Sequence, residues 1–105
     1  MAFQLGSALL EACVLAVVIK EDAYGYKLTQ EVKQIMDVSE STLYPVLRRL
    51  QKDGYLQTYD QPYQGRNRRY YTITPAGREQ FQGFLKQWNG FRDKIDTLMN
   101  GGTVQ

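Results

Sequence analysis

Histidine is absent from this sequence of 105 residues, and cysteine occurs once, as Cys13. The lack of histidine excludes histidine-based catalytic triads, proton shuttles and histidine-ligated metal sites. A single cysteine forms neither an internal disulfide nor a thiolate cluster, which suits a reducing compartment. Since the sequence also lacks a phosphate-binding glycine motif, we expect no enzymatic activity, no metal and no cofactor.

Long apolar runs are also scarce. The longest, from Leu9 to Ile19, is interrupted by Glu11 and is too short to span a bilayer. Met1 to Ser7 contains no Lys or Arg, although a secretory signal peptide would carry one there. We therefore expect a cytoplasmic protein that does not bind membranes. The length predicts a single domain, residues 1–105.

The net charge is low, because 13 Lys and Arg stand against 11 Asp and Glu. The charge is unevenly distributed: residues 1–26 hold one base and three acids, residues 27–69 eight and five, and residues 70–105 four and three. The stretch from Gln61 to Arg69 contains three arginines, Arg66, Arg68 and Arg69, and no acidic residue. A local basic patch is typical of nucleic-acid binding, although a solvated surface loop has the same composition.

Three helices are predicted in the first half of the chain. Residues 5–19 are apolar on every side of a helical wheel, so this helix needs more cover than a small monomer supplies. A third helix begins at Ser39 or Ser41 as its N-cap and ends at Asp53-Gly54, where glycine suits the C′ position. The second helix, between them, has one apolar stripe formed by Leu28, Val32, Ile35 and Met36.

The second half of the chain is predicted to form a hairpin and a long helix. Tyr55 to Asp60 and Arg69 to Thr74 are rich in Tyr and Thr, which favours strands, and Gln61 to Arg68 is predicted to be a loop with a basic tip. Thr74 and Pro75 are suited to be the N-cap and the N1 residue of the last helix. That helix carries apolar side chains at successive heptad positions a and d, namely Phe81, Phe84, Trp88, Phe91, Ile95 and Leu98.

The order of these elements is helix, helix, short turn, helix, hairpin and long helix. It predicts a mainly α fold with a small β-hairpin, which is a winged helix-turn-helix followed by a long C-terminal dimerisation helix. Residues 22–74 are expected to form the helix-turn-helix and the wing. Residues 1–20 and 75–99 are expected to be dimer helices, because their apolar faces need a partner.

Several motifs resemble those of the PadR family of transcriptional regulators. Tyr24 to Leu28 is similar to the GYxL element of that family. Ser41 to Leu50, followed by Asp53 to Leu56, is similar to its recognition helix and the exit from that helix. Gly65 to Thr74, with Gly77, resembles its wing and return strand. The C-terminal region, which is a single helix after the wing, resembles that of the small subfamily of these regulators.

The resemblance implies a homodimeric repressor of efflux, detoxification or stress genes that is relieved by a small hydrophobic or aromatic effector. A symmetric dimer of this kind presents two recognition helices ~34 Å apart to a pseudo-palindromic operator in double-stranded DNA. In the family the first and last helices build the dimer, which agrees with their apolar patterns. The alternative is a winged-helix module that binds protein and makes no sequence-specific contact with DNA.

The candidate DNA contacts lie on the second and third helices and in the wing. Hydroxyl and aromatic side chains at the start of the third helix suit base edges, and the cations farther along suit phosphates. Of Tyr24 and Tyr26 we expect Tyr24 to be exposed, and we expect Arg69 to lie along the sheet rather than reach DNA. The predicted contacts are Tyr24, Lys27, Ser41, Thr42, Tyr44, Pro45, Arg48, Arg49, Lys52, Gly65, Arg66 and Arg68.

The candidate dimer interface follows the two terminal helices. Trp88 has two interpretations: a large anchor in the packing of the dimer, or one wall of an aromatic effector site with Phe84 and Phe91. Cys13 is expected to be a small buried hydrophobe rather than a redox sensor, because its neighbours are apolar. The predicted interface residues are Leu5, Leu9, Phe81, Phe84, Trp88, Phe91, Ile95 and Leu98.

Overall fold

The computed structural model describes residues 6–104, which form four helices and a three-stranded antiparallel sheet of order β1-β3-β2. The mainly α fold with a small β-hairpin is confirmed. The short strand β1, before the second helix, was not predicted from the sequence. The elements are α1 (Ser7–Lys20), β1 (Ala23–Tyr24), α2 (Gly25–Lys33), α3 (Glu40–Lys52), β2 (Leu56–Tyr63), β3 (Arg66–Ile73) and α4 (Pro75–Met99).

The hydrophobic core lies where α1 meets the other helices and the base of the sheet. α1 contacts α2, α3, α4 and β3, so the chain itself covers much of this all-apolar helix. Burying these aliphatic side chains stabilises the fold by about 1.5–3 kcal/mol each. The largest fully buried side chains are Leu15, Leu28, Leu43, Leu47, Leu50, Leu56, Val14, Val18 and Val32.

The helix-turn-helix differs from its predicted pattern at one point. Leu28 and Val32 are buried as expected, but α2 ends at Lys33 and Ile35 is 80% exposed. Ile35 therefore does not belong to the core stripe. Of the two candidate caps for α3, Ser39 has this role, since its hydroxyl accepts a hydrogen bond from the Thr42 backbone N–H at 3.2 Å.

The exit of α3 is a Schellman motif, which follows from the left-handed conformation of Gly54 (φ 83°). The Tyr55 N–H donates to the Leu50 carbonyl at 2.9 Å, and the Gly54 N–H donates to the Gln51 carbonyl at 3.1 Å. These bonds satisfy carbonyls that the end of a helix leaves free. They also direct the chain into β2 immediately after the helix.

The hairpin is longer than the sequence indicated. The predicted eight-residue loop is wrong, because Gln61 to Tyr63 pair with Arg66 to Arg68 and extend both strands. Only Gln64 (φ 50°) and Gly65 (φ 78°) form the turn. Two central residues with positive φ define a type I′ turn, whose twist matches that of the strands.

The helix α4 begins where α3 and the hairpin end. The Thr74 hydroxyl accepts a hydrogen bond from the Gly77 N–H at 2.9 Å and donates one to the Gly54 carbonyl at 2.6 Å. Gly77 is buried at this junction, and a Cβ atom there would overlap the Tyr55 carbonyl oxygen and come within 2.7 Å of Cγ1 of Ile73. Glycine is therefore required for α4 to approach the base of the hairpin.

We predict that Gly77→Ala lowers the free energy of unfolding by about 1–3 kcal/mol, because the added methyl group meets backbone atoms that cannot move aside. Urea denaturation measures the change. Gly83→Ala is the matched control on the same helix, since a Cβ atom at Gly83 meets nothing within 4 Å. The control is expected to stabilise the protein by up to about 1 kcal/mol. Equal stability of Gly77→Ala and the parent protein would contradict the close approach.

Candidate nucleic-acid interface

The outer face of α3 is cationic along its C-terminal half. Arg48 and Lys52 lie opposite the buried stripe that begins at Leu43, together with the exposed ring of Pro45. Among residues 6–104, no acid lies within 4.0 Å of the Arg48 or Lys52 charge. Both cations are therefore available to an external anion.

Hydroxyl groups cluster at the N-terminal end of α3. The Ser39 hydroxyl lies 2.9 Å from that of Ser41 and 3.1 Å from that of Thr42. All three side chains are exposed, and Tyr44, one turn farther along, is 40% exposed. The helix thus presents small hydrogen-bonding groups and an aromatic ring at its start, and cations toward its end.

Arg49 differs from Arg48 because it is ion-paired inside the protein. Its Nη2 lies 3.3 Å from Oε2 of Glu11 on α1, and the Glu11 side chain is only 18% exposed. The pair joins α1 to the flank of α3. Arg49 is therefore held toward α1, on a different side of α3 from Arg48.

The tip of the wing carries Gly65 and Arg66, both of which are exposed. Arg66 is paired with Tyr63 across the turn. No acid lies within 4.0 Å of its guanidinium group in the part of the chain that the structure describes. Arg66 is thus a third cation open to an external anion.

The tyrosines before α2 are arranged in the opposite way to the prediction. Tyr26 is 65% exposed, whereas Tyr24 is half-buried, because Tyr24 lies in β1 and packs on the sheet. Its ring meets the Tyr70 ring edge-on at 5.7 Å.

Lys27 is bound to Glu21 at 2.9 Å, and this hydrogen bond raises the pKa of Lys27.

Arg68 lies between two aromatic rings on the outer face of the sheet. Its Cζ is 3.9 Å from the centroid of the Tyr24 ring and 3.5 Å from that of the Tyr63 ring. Next to it, the rings of Tyr59 and Tyr70 are stacked at 5.5 Å. Sequence reasoning missed this cluster, because the cross-strand partners become known only with the register.

An apolar groove of about 430 Å³ lies between α1 and α4. Ile35, which sequence reasoning assigned to the core, lies at its edge. Phe91 does not line the groove, but its ring lies 6.3 Å from that of Trp88. The lining residues are Leu9, Ala12, Cys13, Ala16, Ile35, Met36, Phe81, Phe84, Leu85 and Trp88.

The heptad stripe of α4 becomes more exposed along the helix. Phe81 and Phe84 pack against the core, and Trp88 is half-buried, whereas Ile95 is 37% and Leu98 62% exposed. Leu5, which was also predicted at the dimer interface, lies outside the described residues. Cys13 is half-buried at the groove, and burial raises the pKa of its thiol, which makes the thiolate less available.

Two further properties limit the chemistry of the described chain. Within residues 6–104, no group of three or more His, Cys, Asp or Glu side chains is arranged to hold a metal ion. None of the helices in these residues has the length and apolar character needed to cross a membrane.

Known proteins match both the sequence and the fold. The model of the transcriptional regulator PadR-like family matches residues 14–83. The structure of smu.1704 from Streptococcus mutans is 40% identical, with a TM-score of 0.90 over 100% of this chain and 99% of that chain. A PadR-like transcriptional regulator from Bacillus cereus is 32% identical, with a TM-score of 0.82 over 89% and 93%. A transcriptional regulator from Mycobacterium tuberculosis is 47% identical over 58 residues, 54% of each chain.

The helix pair α2 and α3 with the adjoining hairpin defines a winged helix-turn-helix protein. The matched residues 14–83 run from α1 through the wing into α4. The chain belongs to the PadR-like family of transcriptional regulators. Regulators of this family bind DNA and typically dimerise.

The hydrogen bond from the Tyr59 hydroxyl to Oδ2 of Asp22 (2.6 Å) fastens β2 to the segment before β1. This bond, with a smaller effect of burial, raises the pKa of Tyr59 to about 12. Because the pKa is raised in the folded state, the stabilisation is complete below the ordinary value of 10.0 and is lost as the pH rises through about 12.

We therefore predict that a phenolate absorbance titration of the folded protein contains a step near pH 12. Asp22→Asn is expected to move this step toward lower pH, and Tyr59→Phe to remove it. Asp60→Asn, which removes a carboxylate on the other face of the same strand, is the control and is expected to leave the step in place. A step near pH 12 that survives in Tyr59→Phe would refute the assignment.

Proposed function

We propose that the protein is a homodimeric repressor that binds a pseudo-palindromic operator in double-stranded DNA through α3 and the wing. The observation that carries this proposal is the cationic outer face of α3, where Arg48 and Lys52 have no ion-pair partner among residues 6–104. Unpaired cations on an exposed helix are suited to phosphates, whose contacts supply much of the affinity for DNA.

The two ends of α3 have different tasks in this proposal. Ser41, Thr42 and Tyr44 at the N-terminal end contact base edges, since a recognition helix enters the major groove with this end. Arg48 and Lys52 contact phosphates, which fix the register of the helix without reading sequence. Pro45 lies between the two groups and offers an apolar surface to a thymine methyl group.

The flanking residues support this geometry from the sides. Arg49, which its ion pair with Glu11 holds toward α1, lies at the edge of the proposed interface. At the wing, the glycine turn at Gly65 lets the hairpin approach the DNA backbone closely, and Arg66 contacts a phosphate there. Lys27 lies at the start of α2 and contributes at the other edge, whereas Tyr24 packs against Arg68 on the outer face of the sheet.

Titration with salt tests DNA binding. The probe is a duplex that carries the region upstream of the protein's own coding sequence, compared with a random duplex of the same length. The logarithm of the binding constant is expected to fall with log[salt] by about 0.9 per neutralised phosphate. Arg66→Ala is expected to weaken binding to both duplexes and to reduce this slope by about one contact. Lys86→Ala, at an outward position of α4, is the control and should leave the slope unchanged.

Each of the other outcomes has a definite meaning. A flat salt response would contradict DNA binding through these cations. Equal affinity for the two duplexes would contradict a sequence-specific repressor and favour a winged-helix module that binds protein. Loss of binding to the upstream duplex alone in Arg66→Ala would show that Arg66 reads bases.

The proposed dimer places α4 of each copy on the other. The molecule is 58 Å long, and α4, with 25 residues, is about 37 Å long and extends beyond the core. One face of α4 carries Phe84 and Trp88 at the groove and then Ile95 and Leu98 at its exposed end. A twofold axis across α4 lets the exposed end of each helix cover the groove of its partner, so both apolar surfaces are buried at once.

We predict that Leu98→Lys converts the dimer to a monomer, as measured by sedimentation. Leu98 is 62% exposed in the single chain, so the charge does not disturb the fold, which circular dichroism verifies. Gln82→Lys adds the same charge at an outward position of α4 and is expected to remain dimeric. A Leu98→Lys protein that stays fully dimeric would refute this interface. Trp88→Ala is also expected to weaken the dimer, and full dimerisation of that variant would contradict its role as an anchor of the dimer and leave Trp88 free for a ligand role.

We also propose that a small aromatic effector relieves repression by binding in the groove against Trp88 and Phe84, with Phe91 behind Trp88. The groove volume of about 430 Å³ lies within the range of small-molecule sites. The groove is lined partly by α1, and α1 also carries Glu11, the partner of Arg49 on α3. A ligand that displaces α1 therefore acts on the recognition helix through a direct ion pair.

A further inference from the structure

The wing has two faces, and consecutive residues of β3 point to opposite ones. Leu56 and Ile73 are cross-strand neighbours that are both buried against the helices. Strand alternation places Tyr71 and Arg69 on the same face as Ile73, which is the face toward the helices. Arg68 therefore lies on the outer face, turned away from them.

On the outer face, Arg68 joins all three strands. The Tyr24 ring on β1 and the Tyr63 ring on β2 enclose its guanidinium group at 3.9 and 3.5 Å. The rings of Tyr70 and Tyr59 extend the cluster along the sheet. A planar guanidinium group can stack on two rings at once, which an ammonium group does less well. The contacts of Arg68 thus hold the side chain within the protein.

Arg69 is in a different position. Its side chain is 64% exposed, and its Nε lies 3.4 Å from Oδ1 of Asp60, the cross-strand neighbour. An exposed ion pair of this length is weak, so a phosphate competes with it readily. The face that Arg69 shares with Ile73 is the one on which the helices pack, and α3 contacts the adjacent strand β2. Burial raises the pKa of Tyr71 on this face, and the charges of Arg69 and Arg48 oppose that shift. Of the two adjacent arginines, strand alternation therefore places Arg69, and not Arg68, on the face toward the helices.

We propose that Arg69 contacts a DNA phosphate beside α3, whereas Arg68 is a positioning residue that locks the wing to β1. The proposal rests on the DNA-binding function proposed above and exchanges the roles that the sequence indicated for these two arginines. Charge alone does not separate them, because they are adjacent in sequence. Their surroundings distinguish them, because Arg68 is stacked between rings and Arg69 extends into solvent beside α3.

The stacking of Arg68 between Tyr24 and Tyr63, which we call the lock, stabilises the outer end of the hairpin. Residues 61–67 are exposed and lie beyond the core, and a two-stranded hairpin is at best marginally stable by itself. The contact between Arg68 and Tyr63 fixes this outer part relative to Tyr24, which sits at the start of α2. A wing that is ordered before DNA arrives avoids the entropic cost of ordering it on binding.

Four variants of the full chain test the proposal: Arg68→Lys, Arg68→Gln, Arg69→Lys and Arg69→Gln. The salt dependence of binding to a random-sequence duplex reports phosphate contacts, and hydrogen exchange of the wing amides in the free protein reports the lock. Arg69→Gln is expected to reduce the salt slope by about 0.9, Arg69→Lys to preserve it, and both to leave exchange unchanged. Both Arg68 variants are expected to exchange about fivefold faster in the wing and to keep the slope of the parent protein.

Two results would overturn the proposal. One is a slope that falls by about 0.9 in Arg68→Gln and returns in Arg68→Lys, since this is the behaviour of a direct phosphate contact. The other is wing exchange at the parent rate in both Arg68 variants. The exchange experiment needs no DNA, so it judges the lock even if the parent protein binds no duplex. A parent protein that binds no duplex would overturn the proposed function, and with it the role of Arg69 as a phosphate contact.

Discussion

The hydrogen-bonded junction around Thr74 is the constraint on which the arrangement of the molecule depends. One hydroxyl binds the Gly54 carbonyl at the end of α3 and caps α4 through the Gly77 N–H. The Thr74 N–H donates to the Tyr55 carbonyl at 3.1 Å and closes the base of the hairpin. The recognition helix, the wing and the long helix therefore meet within a few residues. Because α4 approaches so closely at Gly77, a change in its direction is transmitted to α3 and the wing without a flexible linker.

Because this junction joins α4 directly to α3 and the wing, whatever covers the apolar surface of α4 also affects the position of α3. α4 packs on the core with Phe81 and Phe84 in its first half, whereas its stripe ends in the exposed Leu98. The second half of the helix therefore gains little stability within the single chain. Its stability is then coupled to whatever covers the stripe and the groove beside Trp88. In the proposed dimer, a partner copy in that place sets the distance between the two recognition helices, and this distance matches the spacing of half-sites on DNA. Under that proposal, dimerisation and operator choice are parts of one geometric requirement.

The sequence predicted the features that depend on near neighbours. The helices, the Thr74 cap and the glycine at the end of α3 are local, because their hydrogen bonds span one turn. Pairing between distant segments was not predictable in the same way. The two-residue strand β1 is too short to have a pattern, so the prediction that Tyr24 would be exposed was wrong. Likewise Ile35 fits a helical stripe by spacing, but α2 ends before it, and its side chain lies at the groove.

The wing shows why composition alone misplaces a binding surface. The segment from Arg66 to Arg69 contains three arginines, and strand alternation divides their charges between the two faces of the sheet. Arg68 is stacked between aromatic rings, and Arg69 lies on the face of the sheet that packs toward the helices. The net charge of +2 reflects only the excess of 13 bases over 11 acids, whereas Arg48 and Lys52 on the outer face of α3 form no ion pair within residues 6–104. The electrostatic field that DNA meets is therefore set by which cations lack acidic neighbours, and the fold determines this more than the total charge does.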